Sequence, residues 1–260
     1  MHVARKRFGQ HFLQDKQVIQ KIVDAIAPTP DQHIVEIGPG QGALTLPLLK
    51  RCSKLVVIEL DRDLIPQLKT RCAGKGELIV HQADALAFDY ATLLVDEKPL
   101  RLVGNLPYNI STPLIFHLLN YAANIHDMHF MLQKEVVDRM SARPGSDAYG
   151  RLSIMVQYRC RVNSLFNVSP QAFFPPPQVE SSIVRIIPHR ENPYHASDYA
   201  HFANLVKTAF SYRRKTLRNC LKQIVTDDDW DHLDVDSHLR PEQLSVAEYV
   251  KMSNQLVAAK

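Results

Sequence analysis

Four adjacent residues near the middle of the chain, Asn105-Leu106-Pro107-Tyr108, have the side chains and the spacing needed for chemistry on an amine. The carboxamide oxygen of Asn105 can accept a hydrogen bond from a substrate amino group. Pro107 biases Leu106 toward an extended conformation, which could aim the Leu106 carbonyl in parallel with the Asn105 side chain. Two acceptors on one amino group favour the pyramidal nitrogen whose lone pair can attack, and Tyr108 can stack on the base. The quartet predicts a site that binds and activates a flipped adenine.

The same stretch also has a purely structural interpretation, as a tight turn between a strand and a helix. Asn109 or Ser111 could cap a helix that Pro113 opens, because these residue types are common at such positions. The quartet by itself does not choose between a turn and a catalytic site. The choice depends on which residues lie at the ends of the other predicted strands.

A glycine-rich segment, Gly38-Pro39-Gly40-Gln41-Gly42, follows the first predicted strand and precedes a helical pattern. Glycines allow a tight turn and a close approach to a ligand, and the start of the next helix offers unpaired N–H groups. A dinucleotide fold uses the spacing G-x-G-x-x-G to place a pyrophosphate. The shorter spacing here resembles the first motif of S-adenosylmethionine-dependent methyltransferases, whose loop lies against the amino-acid end of a cofactor without phosphates.

Carboxylates follow the second and third predicted strands. Glu59 could accept both hydroxyls of a ribose, although a solvated charge at a strand end is the alternative. Asp84 could accept from the amino group of a cofactor's adenine, or it could cap a helix. Because open α/β sheets bind ligands beyond the carboxyl ends of their strands, these residues and Asn105 together predict one ligand crevice.

The Asn105 quartet resembles the adenine-N6 methyltransferase signature, in the variant found in ribosomal RNA adenine dimethyltransferases, and the resemblance runs nearly from end to end. The segment from Arg7 to Leu13 resembles that family's N-terminal motif, which closes over the cofactor, although asparagine is usual where this chain has His11. The segment from Phe173 to Ser181 resembles the family's F-x-P-x-P-x-V-x-S element.

The resemblance implies S-adenosyl-L-methionine as the cofactor and two sets of site residues. The cofactor-binding set is His11, Leu13 (mainly through its backbone), Gly38, Gly40, Glu59, Asp84 and Asn105. The catalytic set is Asn105, Leu106, Pro107, Tyr108 and Phe173, with Phe173 covering the target base opposite Tyr108.

The elements that must position these residues alternate along the chain. Short apolar runs alternate with helical patterns from Ile34 onward, and the expected strands are 34–37, 55–60, 78–80, 100–103 and 128–132. This alternation predicts an α/β fold with a mostly parallel sheet, of the Rossmann-like class I methyltransferase type that the resemblance implies. An amphipathic helix is expected over 15–27, and segments 161–168 and 182–187 are expected to form an antiparallel hairpin at the sheet edge.

The helical patterns after Pro188 cover 195–210, 213–225 and 242–258. They predict a boundary near residue 190, with a catalytic domain over residues 1–190 and a small helical RNA-contacting domain over residues 191–260.

The basic residues are clustered although the formal net charge is only +4. Clusters of this kind predict contacts with a polyanion, although each one alone is also compatible with a solvated surface. The predicted RNA-binding residues are Arg5, Lys6, Arg7, Arg213, Arg214, Lys215, Arg218 and Lys222.

Several classes of protein are excluded by the composition and its pattern. With 45% hydrophobic and 22% charged residues, the 260-residue chain is not of the disordered type. No signal sequence or membrane-spanning stretch is recognisable, and the four cysteines form no C-x-x-C pair. His126 and His129 would point to opposite faces of a strand and could not bind the same metal ion, so no metal site is expected there. The expectation is a monomeric cytoplasmic enzyme without a metal or a membrane partner.

The predicted activity is the dimethylation of the N6 amines of two adjacent adenosines in the hairpin near the 3′ end of small-subunit (16S) ribosomal RNA, in the immature subunit. The family's housekeeping branch carries out this reaction, and the helical C-terminal region resembles that branch. The alternatives are an Erm-like enzyme of the antibiotic-resistance branch, which modifies large-subunit (23S) RNA, a ribosome-assembly factor in which methylation is secondary, and a DNA adenine methyltransferase.

Overall fold

The computed structural model describes residues 11–94, 96, 98–212 and 215–259. Nine strands lie in this part of the chain, and seven of them form the central sheet. The strands are β1 (Phe12–Leu13), β2 (His33–Ile37), β3 (Lys54–Glu59), β4 (Glu77–Gln82), β5 (Leu100–Asn105), β6 (Ile125–Gln133), β7 (Cys160–Val168), β8 (Phe173–Phe174) and β9 (Ser181–Pro188). The sheet has the order β4-β3-β2-β5-β6-β9-β7, and β1 pairs separately with β8.

The helices are α1 (Lys16–Ile26), α2 (Thr45–Cys52), α3 (Ile65–Cys72), α4 (Ser111–Leu119), α5 (Lys134–Ser141), α6 (Arg151–Gln157), α7 (Tyr199–Ala209), α8 (Leu217–Leu221), α9 (Asp227–Trp230) and α10 (Val246–Ala258). Helix α1 begins where the Asp15 side chain accepts from the backbone N–H groups of Gln17 and Val18, and it buries Ile22, Val23 and Ile26. The amphipathic helix expected before the sheet is therefore confirmed.

The five strands from β4 to β6 are parallel, as the alternating pattern predicts. The chain passes outward from β2 through β3 to β4, then returns to the other side of β2 with β5 and β6. The order therefore reverses between β2 and β5, which makes this position the topological switch point of the sheet. The mostly parallel α/β fold is confirmed.

The expected pair of edge strands is present, with β9 lying between β6 and the edge strand β7. Strand β9 runs antiparallel to β6, with Met131 opposite Ile183. The helix expected over 213–225 is shorter than its sequence pattern, because α8 ends at Leu221 and the next residues turn so that the N–H groups of Ile224 and Val225 bond to the Leu221 carbonyl. Val225 is thereby buried.

The described chain falls into two compact units. The first contains the residues up to Val137 together with Asn163–Pro188, and the second contains Asp138–Val162 together with the residues after Pro188. The second unit thus takes a segment from the middle of the chain, whereas the sequence predicts a single boundary near residue 190. Pattern along the chain shows where an element begins, but not which unit it packs with.

A buried charge cluster links strands β5, β6 and β9 within the first unit. The Asp127 carboxylate accepts from Arg101 Nε at 2.8 Å and from Arg185 at 3.0 Å. Arg101 also donates to the carbonyl oxygen of Ile26 at the end of α1. The Arg101 guanidinium lowers the pKa of Asp127 although burial acts in the opposite direction. The cluster ties α1 to the amino-terminal end of β5.

His129 lies next to this cluster, and both of its ring nitrogens are buried without a hydrogen-bond partner. Burial lowers the pKa of His129 from 6.5 to about 4. Between these two values the unfolded chain binds a proton that the folded protein does not. The free energy of unfolding therefore falls as the pH decreases from about 6.5 to about 4.

We expect His129→Leu to reduce this loss of stability by up to about 3 kcal/mol, because leucine does not titrate. Urea unfolding followed by circular dichroism at pH 7, 5.5 and 4.5 measures the effect. His126→Gln is the matched control, since His126 is exposed on the same strand. Equal pH dependence in wild type and His129→Leu would show that His129 is not the titrating group.

Candidate active site

The predicted site residues of the four parallel strands β2 to β5 lie around one cavity in the first unit. Its lining includes Gly38 and Gly40 after β2, Glu59 at the end of β3, Asp84 after β4 and Asn105 at the end of β5. The lining also includes His11 and Leu13. The cavity occupies the carboxyl ends of the strands at the switch point, where open α/β sheets bind ligands. Among the described lining residues there is no lysine or arginine.

The loop after β2 depends on glycine at Gly40. Its φ of +55° is in the left-handed region, and a Cβ placed there would lie 3.3 Å from the Phe12 ring. The Gly40 N–H points to the Glu59 carboxylate, with 3.1 Å between the nitrogen and Oε2. The loop is therefore held against the next strand by one of the residues that the sequence assigns to the cofactor.

Glu59 is buried, and each of its carboxylate oxygens accepts one backbone N–H. Oε2 accepts from Gly40 and Oε1 accepts from Asp61 at 2.8 Å. Burial raises the pKa of Glu59, while these two backbone N–H groups act to lower it. Each oxygen of a carboxylate has a second lone pair, so both can still accept from a ribose hydroxyl. The geometry suits the predicted role of Glu59.

Asp84 forms a local turn and does not begin a helix. Its Oδ1 accepts from the Leu86 N–H at 2.9 Å, and the following residues form a turn. The helix-cap alternative for Asp84 is therefore wrong. The side chain is exposed at the rim of the cavity, where its second oxygen can accept from a ligand amine.

Asn105 ends β5 beside the glycine loop. Its Nδ2 donates to the backbone carbonyl of His11 at 3.1 Å, which orients the carboxamide. With the N–H side used in this way, Oδ1 is the atom that remains to accept from a substrate amine. Leu106 is buried, and its N–H donates to the carbonyl of Met131 on β6.

Tyr108 is held at its hydroxyl and on one face of its ring. The hydroxyl lies 2.8 Å from Ser181 Oγ, and the ring stacks on His11 with 5.9 Å between the ring centroids. Burial raises the pKa of Tyr108, so the phenol stays protonated near neutral pH. The ring is therefore fixed at the cavity with its other face directed away from His11.

The helix after the quartet is not capped as the structural interpretation proposes. The residue at the cap position of α4 is Ile110, which makes no side-chain cap bond. Ser111 is the first helical residue, and its hydroxyl donates to the carbonyl of Tyr108 at 2.8 Å. Pro113 lies in the first turn of the helix, and Asn109 precedes the cap position. Neither proposed cap is present.

The described end of the N-terminal motif forms one side of the cavity, while Arg7 and its neighbours up to Gln10 lie outside the described residues. Strand β1 pairs with β8 so that Leu13 lies opposite Phe173 and Phe12 opposite Phe174. Leu13 is buried in the core and is also among the residues that line the cavity, and its expected backbone role stays a prediction.

Phe173 does not line the cavity in this conformation. Alternation along β8 puts its ring on the core side with Leu13, and only 5% of the residue is exposed. The adjacent Phe174 is 64% exposed. The predicted contact of Phe173 with a target base opposite Tyr108 therefore requires its side chain to move, and the role stays a prediction.

Three of the predicted RNA-binding residues are described, and all three lie near α8 in the second unit. Lys215 places its Nζ 4.3 Å from the centroid of the Tyr212 ring, Arg218 forms an ion pair with Asp227, and Lys222 is exposed. The other five, Arg5, Lys6, Arg7, Arg213 and Arg214, lie outside the described residues. Contact of this basic set with RNA stays a prediction.

Sequence reasoning missed several residues that shape the site. Gly104 is required because a Cβ there would lie 2.5 Å from the carbonyl oxygen of Ile37. Glu36 is buried at the cavity, accepts from Thr45 Oγ1 at 2.6 Å, and has its pKa raised by burial to about 8. Gly104 and Glu36 adjoin the recognised motifs, which was the available signal. Phe12 and Ser181 lie within the recognised motifs, but the contacts of Phe12 with the Gly40 loop and of Ser181 with Tyr108 are tertiary and no local pattern indicates them.

Neither a metal centre nor a membrane-spanning helix is found among the described residues. No group of three or more His, Cys, Asp and Glu side chains in that part of the chain is placed to hold a metal ion. The four cysteines are buried and unpaired with one another. No described helix is both long enough and apolar enough to cross a membrane.

Comparisons with known proteins agree with this geometry. Residues 1–258 match the family described as ribosomal RNA adenine dimethylase. The ribosomal RNA small subunit methyltransferase A of Chromohalobacter salexigens is 57% identical over 259 residues, which cover 98% of this chain and 92% of that protein.

Two solved structures share the fold. A dimethyladenosine transferase from Plasmodium falciparum has a TM-score of 0.79 at 29% identity and covers 93% of this chain and 96% of that chain. The 23S rRNA methyltransferase ErmE has a TM-score of 0.74 at 22% identity and covers 95% of this chain and 99% of that chain. The predicted methyltransferase fold is confirmed.

We expect Glu59→Ala to weaken the binding of S-adenosylhomocysteine by about 100-fold or more, since the change removes two charged acceptors from ribose hydroxyls and releases the Gly40 loop. Isothermal titration calorimetry measures this affinity. Glu77→Ala is the control, because Glu77 is an exposed carboxylate at the other end of the neighbouring strand. Unchanged affinity in Glu59→Ala would remove Glu59 from the cofactor site.

Proposed function

The chain belongs to the ribosomal RNA adenine dimethylase family, and we propose that it dimethylates the N6 amines of two adjacent adenosines in the 3′-terminal hairpin of 16S rRNA. It is a methyltransferase whose methyl donor is S-adenosyl-L-methionine and whose substrate is ribosomal RNA. The name of the relative from Chromohalobacter salexigens, ribosomal RNA small subunit methyltransferase A, supports small-subunit rRNA as the substrate of this chain.

The cavity fits this cofactor by its chemistry. Glu59 presents acceptors for ribose hydroxyls. The described lining residues include no lysine or arginine whose charge would pair with a phosphate. We propose that Gly38, Gly40, Glu59 and Asp84 hold the cofactor with the backbone at His11 and Leu13. When bound, S-adenosyl-L-methionine supplies an electrophilic methyl group on a sulfonium.

The orientation of the Asn105 carboxamide is the observation that supports adenine as the acceptor. Nδ2 is held by the His11 carbonyl, so Oδ1 is available to accept an N–H of the target amine. The lone pair of adenine N6 is delocalised into the ring, and acceptors on its hydrogens favour the pyramidal, nucleophilic form. We propose that Oδ1 and the Leu106 carbonyl act in this way and that water takes the released proton.

We propose that the target base stacks on Tyr108 and is covered from the other side by Phe173. Exposing the Phe173 ring costs about 1.5–3 kcal/mol. Stacking on a base returns about 1–3 kcal/mol. Stacking can therefore offset much of the cost of exposing the ring, provided that neighbouring side chains fill the space that the ring leaves in the core. The β1–β8 pair contains only two residues in each strand, which limits the contacts that must adjust.

The remaining proposals concern the acceptor and its setting. We propose that the substrate is the rRNA of the immature small subunit, bound partly through Lys215, Arg218, Lys222 and the five basic residues outside the described chain. Phosphate contacts of this kind position RNA without reading its sequence. We further propose that the enzyme acts as a cytoplasmic monomer.

The decisive experiment incubates the protein with radiolabelled cofactor and four separate acceptors: immature small subunits, free 16S rRNA, large-subunit RNA and duplex DNA. We expect label in small-subunit RNA, present as N6-dimethyladenosine at two adjacent positions when the product is mapped at nucleotide resolution. Label confined to large-subunit RNA or to DNA would replace this proposal. A protein that binds cofactor but labels no acceptor would also contradict it.

We expect Asn105→Ala to reduce the rate of methyl transfer by more than about 100-fold, because loss of one positioned polar group at a reacting centre has effects of this order. RNA affinity should change little, since phosphate contacts supply most of it. Single-turnover methylation and filter binding measure the two quantities, with Asn120→Ala, an exposed asparagine after α4, as the control. Full turnover in Asn105→Ala would contradict the proposed amine activation.

We expect Phe173→Leu to reduce kcat/KM for RNA about tenfold or more while changing stability by less than about 1.5 kcal/mol. Leucine fills most of the buried volume but offers no aromatic face. Phe174→Leu is the matched control on the adjacent residue. Loss of activity in Phe174→Leu together with normal activity in Phe173→Leu would transfer the role to Phe174.

A further inference from the structure

His11 contacts three residues of two other segments at the active site. Its Nδ1 lies 2.8 Å from the carbonyl oxygen of Pro175, its ring stacks on Tyr108 with an interplanar angle of 28°, and its own carbonyl accepts from Asn105 Nδ2 at 3.1 Å. A carbonyl oxygen only accepts, so Nδ1 must carry the hydrogen of the bond to Pro175. His11 therefore joins the N-terminal motif to the catalytic quartet and to the segment that follows β8.

We propose that the His11 side chain is a positioning residue for the target base, and that its hydrogen bond to Pro175 is the contact through which it acts. The family resemblance assigns His11 to the cofactor. The contacts of the ring are instead with Tyr108 and Pro175, which belong to the target-base side of the site. The inference rests on the proposed roles of Asn105 and Tyr108 and deepens them.

The first consequence concerns the orientation of Asn105. The backbone carbonyl of His11 receives the Asn105 N–H and thereby directs Oδ1 toward the substrate amine. Backbone pairing of Phe12 and Leu13 with β8 holds the chain on one side of this carbonyl, and the ring's bond to Pro175 holds His11 itself. Without the ring contact, the acceptor of the Asn105 N–H is less firmly placed.

The second consequence concerns the Tyr108 ring. Ser181 holds its hydroxyl and His11 covers one face, so the opposite face is the one left for the base. Pro175 follows Phe173 and Phe174 directly, and the His11 bond therefore also fixes the exit of β8. One imidazole thus sets the positions of the Tyr108 ring and of the segment proposed to cover the base.

The two contacts of the imidazole can be separated by substitution. In His11→Asn the side-chain amide can place an N–H near the position of Nδ1 but offers no ring. In His11→Phe the ring is kept and the donor is lost. Both variants retain the backbone carbonyl that Asn105 uses, so they test the side chain alone.

The experiment measures single-turnover methylation of immature small subunits at saturating cofactor, together with the affinity for S-adenosylhomocysteine and the melting temperature of each variant. We expect His11→Phe to lower the rate of methyl transfer about tenfold, which corresponds to the loss of one hydrogen bond. Cofactor affinity should stay within about threefold of wild type. His11→Asn should recover most of the rate, to within about threefold of wild type.

The control is His126→Phe, an exposed histidine on β6, and His11→Ala is a second variant without the donor in case His11→Phe does not fold. A normal rate in both His11→Phe and His11→Ala would overturn the inference. A large loss of cofactor affinity with a normal saturated rate would also overturn it and make His11 a cofactor contact only. A rate in His11→Asn as low as in His11→Phe would show that the hydrogen bond is not the operative contact. A wild type that methylates no acceptor contradicts the proposed function instead.

Discussion

Parallel hydrogen bonding between β2 and β5 brings the glycine loop and the Asn105–Tyr108 quartet to one edge of the sheet. Glu36 pairs with Val103, so the loop that follows Ile37 and the quartet that begins at Asn105 leave neighbouring strands at the same level. The two strands approach so closely at Gly104 that no Cβ can be placed there without displacing the Ile37 carbonyl. Because the strand order reverses at this pair, the connecting segments diverge and leave room for a ligand.

The short pairing of β1 with β8 closes the other side of the same cavity. The pairing joins residues that are 160 or more positions apart in the chain, and the His11–Pro175 bond beside it is of similar range. Side chains alternate between the two faces of this strand pair, so Leu13 and Phe173 are buried while Phe174 is exposed. In the proposed contact, a base that stacks with Phe173 must offset the exposure of that ring, so the proposal couples recognition of the base to the stability of this strand pair.

Buried carboxyl groups have different surroundings at the two ends of the sheet. At the amino-terminal ends of β5 and β6, the Asp127 carboxylate of β6 is paired with Arg101 and Arg185, so it links strands of the sheet. At the carboxyl ends, Glu59 has backbone N–H partners and Glu36 has a single hydroxyl partner, and burial raises the pKa of both. The carboxyl oxygens of Glu59 and Glu36 keep lone pairs that a ligand can use, which suits a binding site. The Asp127 carboxylate is instead paired with two guanidinium groups, which suits a structural link.

Local sequence determined the elements and the chemistry at their ends. The alternation of apolar runs with helical patterns was enough to predict the parallel strands and α1. The residue types at the strand ends were enough to predict that Glu59, Asp84 and Asn105 line one crevice. Only the tertiary structure decided that Phe173 faces the core, that His11 contacts Pro175 and Tyr108, and that residues 138–162 join the C-terminal unit. The reason is physical: periodicity and turn chemistry act over a few neighbouring residues, whereas the direction of a side chain and the choice of a packing partner depend on surfaces that meet only when distant segments fold together.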